Sequence, residues 1–226
     1  KPSKVHTPSI GCGHNMASDE RVLAKWRAHP RYDRVRTWLD SHSKFCAYTQ
    51  ALRAATHTLA SATSRTDPSA VCGALARAKQ TFEDMELLLD AHSTLEDTKL
   101  FPFMATAFPT EFGRACEQYK REHAELDATV ERLGAELDAL ASSPCGRQGV
   151  VNTQTSVALQ ALHALAVDID AKMRRHFIDE EEDTVELWLG MSPALAHEYS
   201  RYRPPRAGVD GDNSAQAMLG APRSKL

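Results

Sequence analysis

The chain has 226 residues, 42% of them hydrophobic, enough to bury the core of one compact domain with tails. Its 27 Lys+Arg against 30 Asp+Glu leave a formal net charge of −3, which argues against a dedicated binder of nucleic-acid phosphates. No apolar run approaches the roughly 20 residues of a membrane helix, and the first residues lack the apolar core of a secretory signal. A soluble, non-membrane protein is expected. Five cysteines (Cys12, Cys46, Cys72, Cys116, Cys145) with no C-x-x-C pair suit a reducing compartment.

In chain order, residues 1–17 carry Pro, Gly, Ser and His without periodicity and read as a flexible arm. A short helix from Ser18 to about His29 completes an N-terminal segment 1–32. A long amphipathic helix then runs from about Asp33 to Ala62. The cluster Ser61 to Asp67 breaks it, and Asp67-Pro68 opens a second helix, Asp as N-cap and Pro at the first helical position. That helix is expected to reach about Ala107, kinked near its end by Pro102. A third follows from Pro109 to about Ala141. Residues 142–152, with Pro144, Gly146 and Gly149, read as the longest internal loop. A fourth helix spans about Thr153 to Leu189 and ends at Gly190. Ser192-Pro193 starts a short helix within 191–203, and 204–226 reads as a disordered tail. Nothing reads as a strand, so the expected class is all-α, with a helical bundle over 33–190 and short extra helices at both ends.

The apolar seams, written at steps of three and four, each carry a histidine. The first runs Val35, Trp38, His42, Phe45, Thr49, Leu52. The second runs Phe82, Met85, Leu89, His92, Glu96, Phe103. The third runs Phe112, Cys116, Tyr119, His123, Leu126, Val130. The fourth runs Leu162, Ala166, Ile169, Met173, His176, Glu180, Leu187. Two seams thus place a glutamate one turn after the histidine. The chain also repeats itself: His42-x9-Leu52-x6-Leu59-Ala60 matches His123-x9-Leu133-x6-Leu140-Ala141, and His92-x3-Glu96 matches His176-x3-Glu180. Two duplicated hairpins would bring all six side chains into one layer.

His and Glu at i and i+4 share a helical face and can ligate one centre. Four imidazoles and two carboxylates buried together without a partner would be costly, and a metal resolves that cost. Imidazole and carboxylate suit iron, manganese or zinc, and the lack of thiolates in the layer argues against a structural Cys-type zinc site. Six ligands exceed what one tetrahedral zinc takes. Two glutamates from opposite helices can bridge a pair of ions, with room for an oxo or hydroxo bridge. Asp127, one turn after His123, is a candidate seventh ligand, an outer hydrogen-bonding group or a solvent-exposed side chain. Tyr119 is either a core ring or a hydrogen-bond donor to a bound oxygen species. His57 and His163 fall off the seams, and the acidic run Asp179 to Asp183 reads as a solvated face apart from Glu180.

The order His, His-x3-Glu, His, His-x3-Glu on four helices resembles the haemerythrin-like (HHE cation-binding) family, and Leu100-Phe101-Pro102 after Glu96 is similar to that family's Leu-Phe-Pro habit. The resemblance covers about residues 33–190. It implies an up-down four-helix bundle around two iron ions, a non-haem di-iron centre with His42, His92, His123 and His176 as terminal ligands and Glu96 and Glu180 as bridges. Oxygen or peroxide is the implied small partner. Where oxygen-carrying members have a second histidine after the third-helix ligand, this chain has Asp127, which points towards the family's sensing, storage or peroxide-handling members. A catalase-like or peroxidase-like enzyme, a di-iron oxidase and an iron-responsive regulatory module are the alternatives. Finally, Ser224-Lys225-Leu226 spells the address read by the peroxisomal import receptor. With Leu226 as natural terminus, a peroxisome or glycosome is expected, and otherwise the cytoplasm.

Overall fold

Cap residues set the helix starts. Asp67 accepts the amide of Ser69 at 3.2 Å with Pro68 as first helical residue, Asn152 accepts that of Thr155 at 2.8 Å, and Ser192 accepts that of Leu195 at 3.1 Å ahead of Pro193. The computed structural model describes residues 20–203, and every regular element among them is helical. The helices are α1 (Glu20–Arg27), α2 (Asp33–Ala60), α3 (Pro68–Leu95), α4 (Phe101–Ala107), α5 (Gly113–Ser142), α6 (Pro144–Gln148), α7 (Thr153–Gly190) and α8 (Pro193–Arg201). The expected N-terminal arm and the tail with Ser224-Lys225-Leu226 lie outside the described residues. No helix among the described residues is long and apolar enough to cross a membrane.

Two details differ from the sequence reading. The expected loop 142–152 contains α6, started by Ser143, whose hydroxyl accepts the amide of Cys145 at 3.1 Å, and by Pro144 at the first position. The expected single helix 68–107 is divided by a π turn, Glu96–Leu100, in which the Phe101 N–H bonds the Glu96 carbonyl five residues back. Pro102 explains the turn. It has no N–H, and in a continuous α-helix its ring would strike the carbonyl of Thr98. One wider turn just ahead removes that collision without breaking the helix.

α2 packs against α3 and α7, and α5 packs against the same two, closing a ring of long helices. Two apolar clusters fill the ring. One includes Phe45, Leu52, Phe82, Leu133 and Met173, and the other includes Trp38, Phe101, Phe112, Tyr119 and Trp188. Along every long helix the histidine lies where one cluster gives way to the other, so the polar layer divides the core in two.

Gly149 ends α6 at φ 68°, and a Cβ there would lie 2.3 Å from the Pro68 carbonyl oxygen. Gly149→Ala should therefore cost about 2–4 kcal/mol in urea denaturation, combining left-handed strain with overpacking. Gly113→Ala should stay within about 0.5 kcal/mol, since a Cβ at the start of α5 meets nothing within 4 Å.

Candidate metal centre

Four helices and the π turn supply the layer. α2 contributes His42, α3 contributes His92, the π turn Glu96, α5 His123, and α7 both His176 and Glu180. All six are buried, both glutamates completely. They form two groups, His42–His92–Glu96 and His123–His176–Glu180, with ligand atoms in each group within 4.8 Å of one another. Within a helix the i, i+4 spacing gives 3.0 Å from His92 Nε2 to Glu96 Oε1 and 3.0 Å from His176 Nε2 to Glu180 Oε1. Across helices, His42 Nε2 lies 3.1 Å from His92 Nε2.

The carboxylates join the groups. Glu96 Oε1 is 3.7 Å from His42 Nε2, while its Oε2 is 3.5 Å from His123 Nε2. Glu180 Oε2 is 3.7 Å from His42 Nε2, while its Oε1 is 3.6 Å from His123 Nε2. Each carboxylate therefore faces histidines of both groups.

Every imidazole is also held from outside the layer. His42 Nδ1 lies 2.9 Å from Glu181 Oε1, His123 Nδ1 lies 2.9 Å from Asp97 Oδ1, and His176 Nδ1 lies 2.8 Å from Glu122 Oε2. His92 Nδ1 lies 3.3 Å from Ser41 Oγ. A proton kept on Nδ1 by a carboxylate leaves the Nε2 lone pair turned inward, where a cation would use it. Trp38 adds a further contact, its indole N–H donating to Glu96 Oε1.

Burial pushes the three carboxylate-paired imidazoles down, but their carboxylate neighbours outweigh it. His42 is raised to about 9 by Glu181, Glu96 and Glu180, His123 to about 10 by Asp97 and Glu180, and His176 to about 9 by Glu180 and Glu122. Burial pushes Glu96 up, yet the charges of His92 and His42 hold it well below the usual carboxylate range. Glu180 is likewise lowered by His176 and His123 against burial and the Glu96 charge. The layer is thus a set of charges in a low-dielectric core.

It is also incomplete as a hydrogen-bond network. Among the described residues, Glu96 Oε2, His176 Nε2 and both oxygens of Glu180 have no hydrogen-bond partner, although all four are buried and face the layer. Orphaned acceptors pointing at one small volume, with imidazole nitrogens between them, are the donor set a cation requires. The residues fit a metal.

The remaining candidates fall elsewhere. Asp127 belongs to neither group and is exposed, because the buried seam of α5 continues from His123 through Leu126 and Val130. Tyr119 gives its hydroxyl to Asp183 at 2.7 Å. His57 is exposed and His163 half-buried, with its Nδ1 3.1 Å from Thr56 Oγ1. The acidic run is less solvated than expected. Glu181 is 1% exposed and anchors His42, which the charge run concealed in the sequence. Asp97, Glu122 and Ser41 also escaped the sequence reading, since each sits just off its seam.

A family model described as Hemerythrin HHE cation binding domain matches residues 33–188. Among curated proteins and among solved structures, nothing matches.

These shifts fix the pH dependence. The raised histidines contribute stability that is complete below their ordinary value of 6.5 and lost as pH rises through about 9 to 10. The lowered glutamates contribute stability that is present above 4.5 and lost on acidification. Metal-free protein should therefore melt highest between 4.5 and 6.5. A bound cation needs the imidazoles deprotonated, so the rise in melting temperature on adding zinc should grow with pH across the neutral range. Differential scanning fluorimetry with and without metal checks this; an increment that shrinks with pH would contradict it.

Proposed function

The chain belongs to the hemerythrin HHE cation-binding domain family, and from that premise we propose that its layer holds two iron ions and handles oxygen or peroxide there. The observation that carries this reading is the sharing of the carboxylates: Glu96 and Glu180 each approach histidines of both groups within 3.7 Å. Six donors exceed the needs of one tetrahedral ion, whereas two ions sharing two carboxylates use all of them. On this reading the long helices form an up-down four-helix bundle. An imidazole and carboxylate set without thiolate accepts iron, and an iron pair would supply electron exchange with oxygen-derived molecules.

The chain's own residues do the rest. His42 and His92 would hold one ion, His123 and His176 the other, and Glu96 and Glu180 would bridge them. With a cation bound, Glu181, Asp97 and Glu122 would accept from Nδ1 of their histidines and hold each ring with Nε2 turned inward. Phe177 stacks on His42 at 4.3 Å and Phe101 on His123 at 5.9 Å, walling water out of the layer. A cleft of about 180 Å³ between α5 and α7 reaches His176 beside Lys172 and Arg175, and offers a small polar molecule an approach. In the same proposal, with Leu226 as the natural terminus, Ser224-Lys225-Leu226 would be read by the peroxisomal import receptor and bring the centre to where peroxide is made.

Elemental analysis of reconstituted protein should find two irons per chain. Glu96→Ala and Glu180→Ala should each lose most of the metal and lower the melting temperature, because each leaves buried imidazoles unpaired. His57→Ala and His163→Ala should keep it; equal loss in these controls would overturn the assignment. Separately, a fluorescent protein carrying residues 204–226 at its C-terminus should enter peroxisomes and remain cytosolic once Leu226 is removed.

A further inference from the structure

We propose that Trp38, Trp188 and Tyr199 form a one-electron relay from the metal layer to α8, draining oxidising equivalents away from the ligands. The inference rests on the iron reading above. Trp38 is 6% exposed, meets the ring of His42 edge-on at 4.2 Å, and donates its indole N–H to Glu96, the carboxylate that faces both groups. The ring of Trp188 lies 5.9 Å from that of Trp38, and the ring of Tyr199 lies 5.6 Å from that of Trp188. Tyr199 is half-buried on α8, the last described helix, with Lys99 Nζ 4.9 Å above its ring.

Indole and phenol rings give up an electron far more readily than aliphatic side chains or phenylalanine. Three of them in contact, beginning on a ligand carboxylate and ending near solvent, make a path of short steps in place of one long one. Packing alone does not require these types. Leucine or phenylalanine would fill positions 38 and 188 without an N–H to satisfy, yet the chain places two of its three tryptophans there. The other tyrosine beside the layer makes the contrast. Tyr119 is 1% exposed, lies edge-on to His176 at 5.7 Å, gives its hydroxyl to Asp183 and otherwise meets the rings of Phe101 and Phe112, so among the described residues no tryptophan or second tyrosine continues a path from it.

The oxidant is hydrogen peroxide at the iron-loaded centre. Trp38 supplies one electron to the oxidised centre and regains it from Trp188, which regains it from Tyr199. The ammonium of Lys99 over the phenol ring opposes a cationic radical, so Tyr199 releases its hydroxyl proton to water and becomes a neutral radical. Two electrons delivered this way, with two protons from solvent, convert one peroxide into two waters. A one-electron reductant of the ascorbate type then restores Tyr199.

The test uses the full chain loaded with iron and oxidised to the ferric state, mixed with excess hydrogen peroxide and freeze-quenched for electron paramagnetic resonance, with peptide mass spectrometry of the products. A tyrosyl signal should form that Tyr199→Phe abolishes and Tyr119→Phe retains. Trp188→Phe, which keeps an aromatic ring, should lose the Tyr199 signal and gain oxygen additions at Trp38 and His42, with iron content unchanged. Zinc-loaded protein should give neither product. A signal confined to Tyr119, an undiminished Tyr199 signal in Trp188→Phe, or iron-loaded protein with no radical overturns the relay alone. A chain that takes up no iron overturns the iron reading and the relay together.

Discussion

The fold depends on a cost placed at its centre: two carboxylates and four imidazoles removed from water in the middle of an apolar core. Isolated charges there would be strongly destabilising, and mutual pairing offsets the cost only where geometry is good and no polar atom is left over. Here the outer nitrogens are satisfied by Glu181, Asp97, Glu122 and Ser41, while inner atoms of Glu96, His176 and Glu180 are not. The leftover atoms all face one small volume. The helices, the two apolar clusters and the outer carboxylates form a cage whose energetic balance is completed by a cation, consistent with the chain's membership of a cation-binding family.

The π turn links backbone mechanics to that cage. Pro102 forces a wider turn upstream, and the turn begins at Glu96 itself. Glu96 then enters the layer while its neighbour Asp97 reaches His123 on α5. A carboxylate of the layer and the carboxylate that holds His123 come from adjacent residues, which a uniform helix would turn about 100° apart. A proline two residues past the turn thus sets the position of two functional carboxylates.

The four histidines and two glutamates were legible because each is bound to a helical period. They replace apolar residues at seam positions, and the duplication of His42 by His123 and of His92-x3-Glu96 by His176-x3-Glu180 shows that the replacement is patterned. The outer anchors had no such signature. Glu181 lies beside Glu180 in an acidic run that looks like solvated surface, and its burial follows only from how α7 rotates against α2. Asp97 lies within the π turn, which the sequence reading took as continuous helix. Asp127, which the sequence left open between a ligand, an outer hydrogen-bonding group and an exposed side chain, is exposed: four residues after His123 is a neighbour on the helix, but the buried stripe of α5 takes the three-residue step to Leu126.

Duplication in sequence did not produce identical halves. In the His42–His92 half one imidazole is backed by a carboxylate, Glu181, and the other by a hydroxyl, Ser41. In the His123–His176 half both are backed by carboxylates, Asp97 and Glu122. A carboxylate behind an imidazole makes it a stronger donor than a hydroxyl does, because it stabilises the positive charge the ring acquires. The second half is therefore the more electron-rich, and it is also the half whose His176 borders the cleft between α5 and α7. The first half is closed by Trp38 and Phe177, which meet the ring of His42 at 4.2 Å and 4.3 Å. One half thus borders a cleft while the other is covered by the rings of Trp38 and Phe177, and the carboxylates that make the second half differ from the first lie just off the repeated seams.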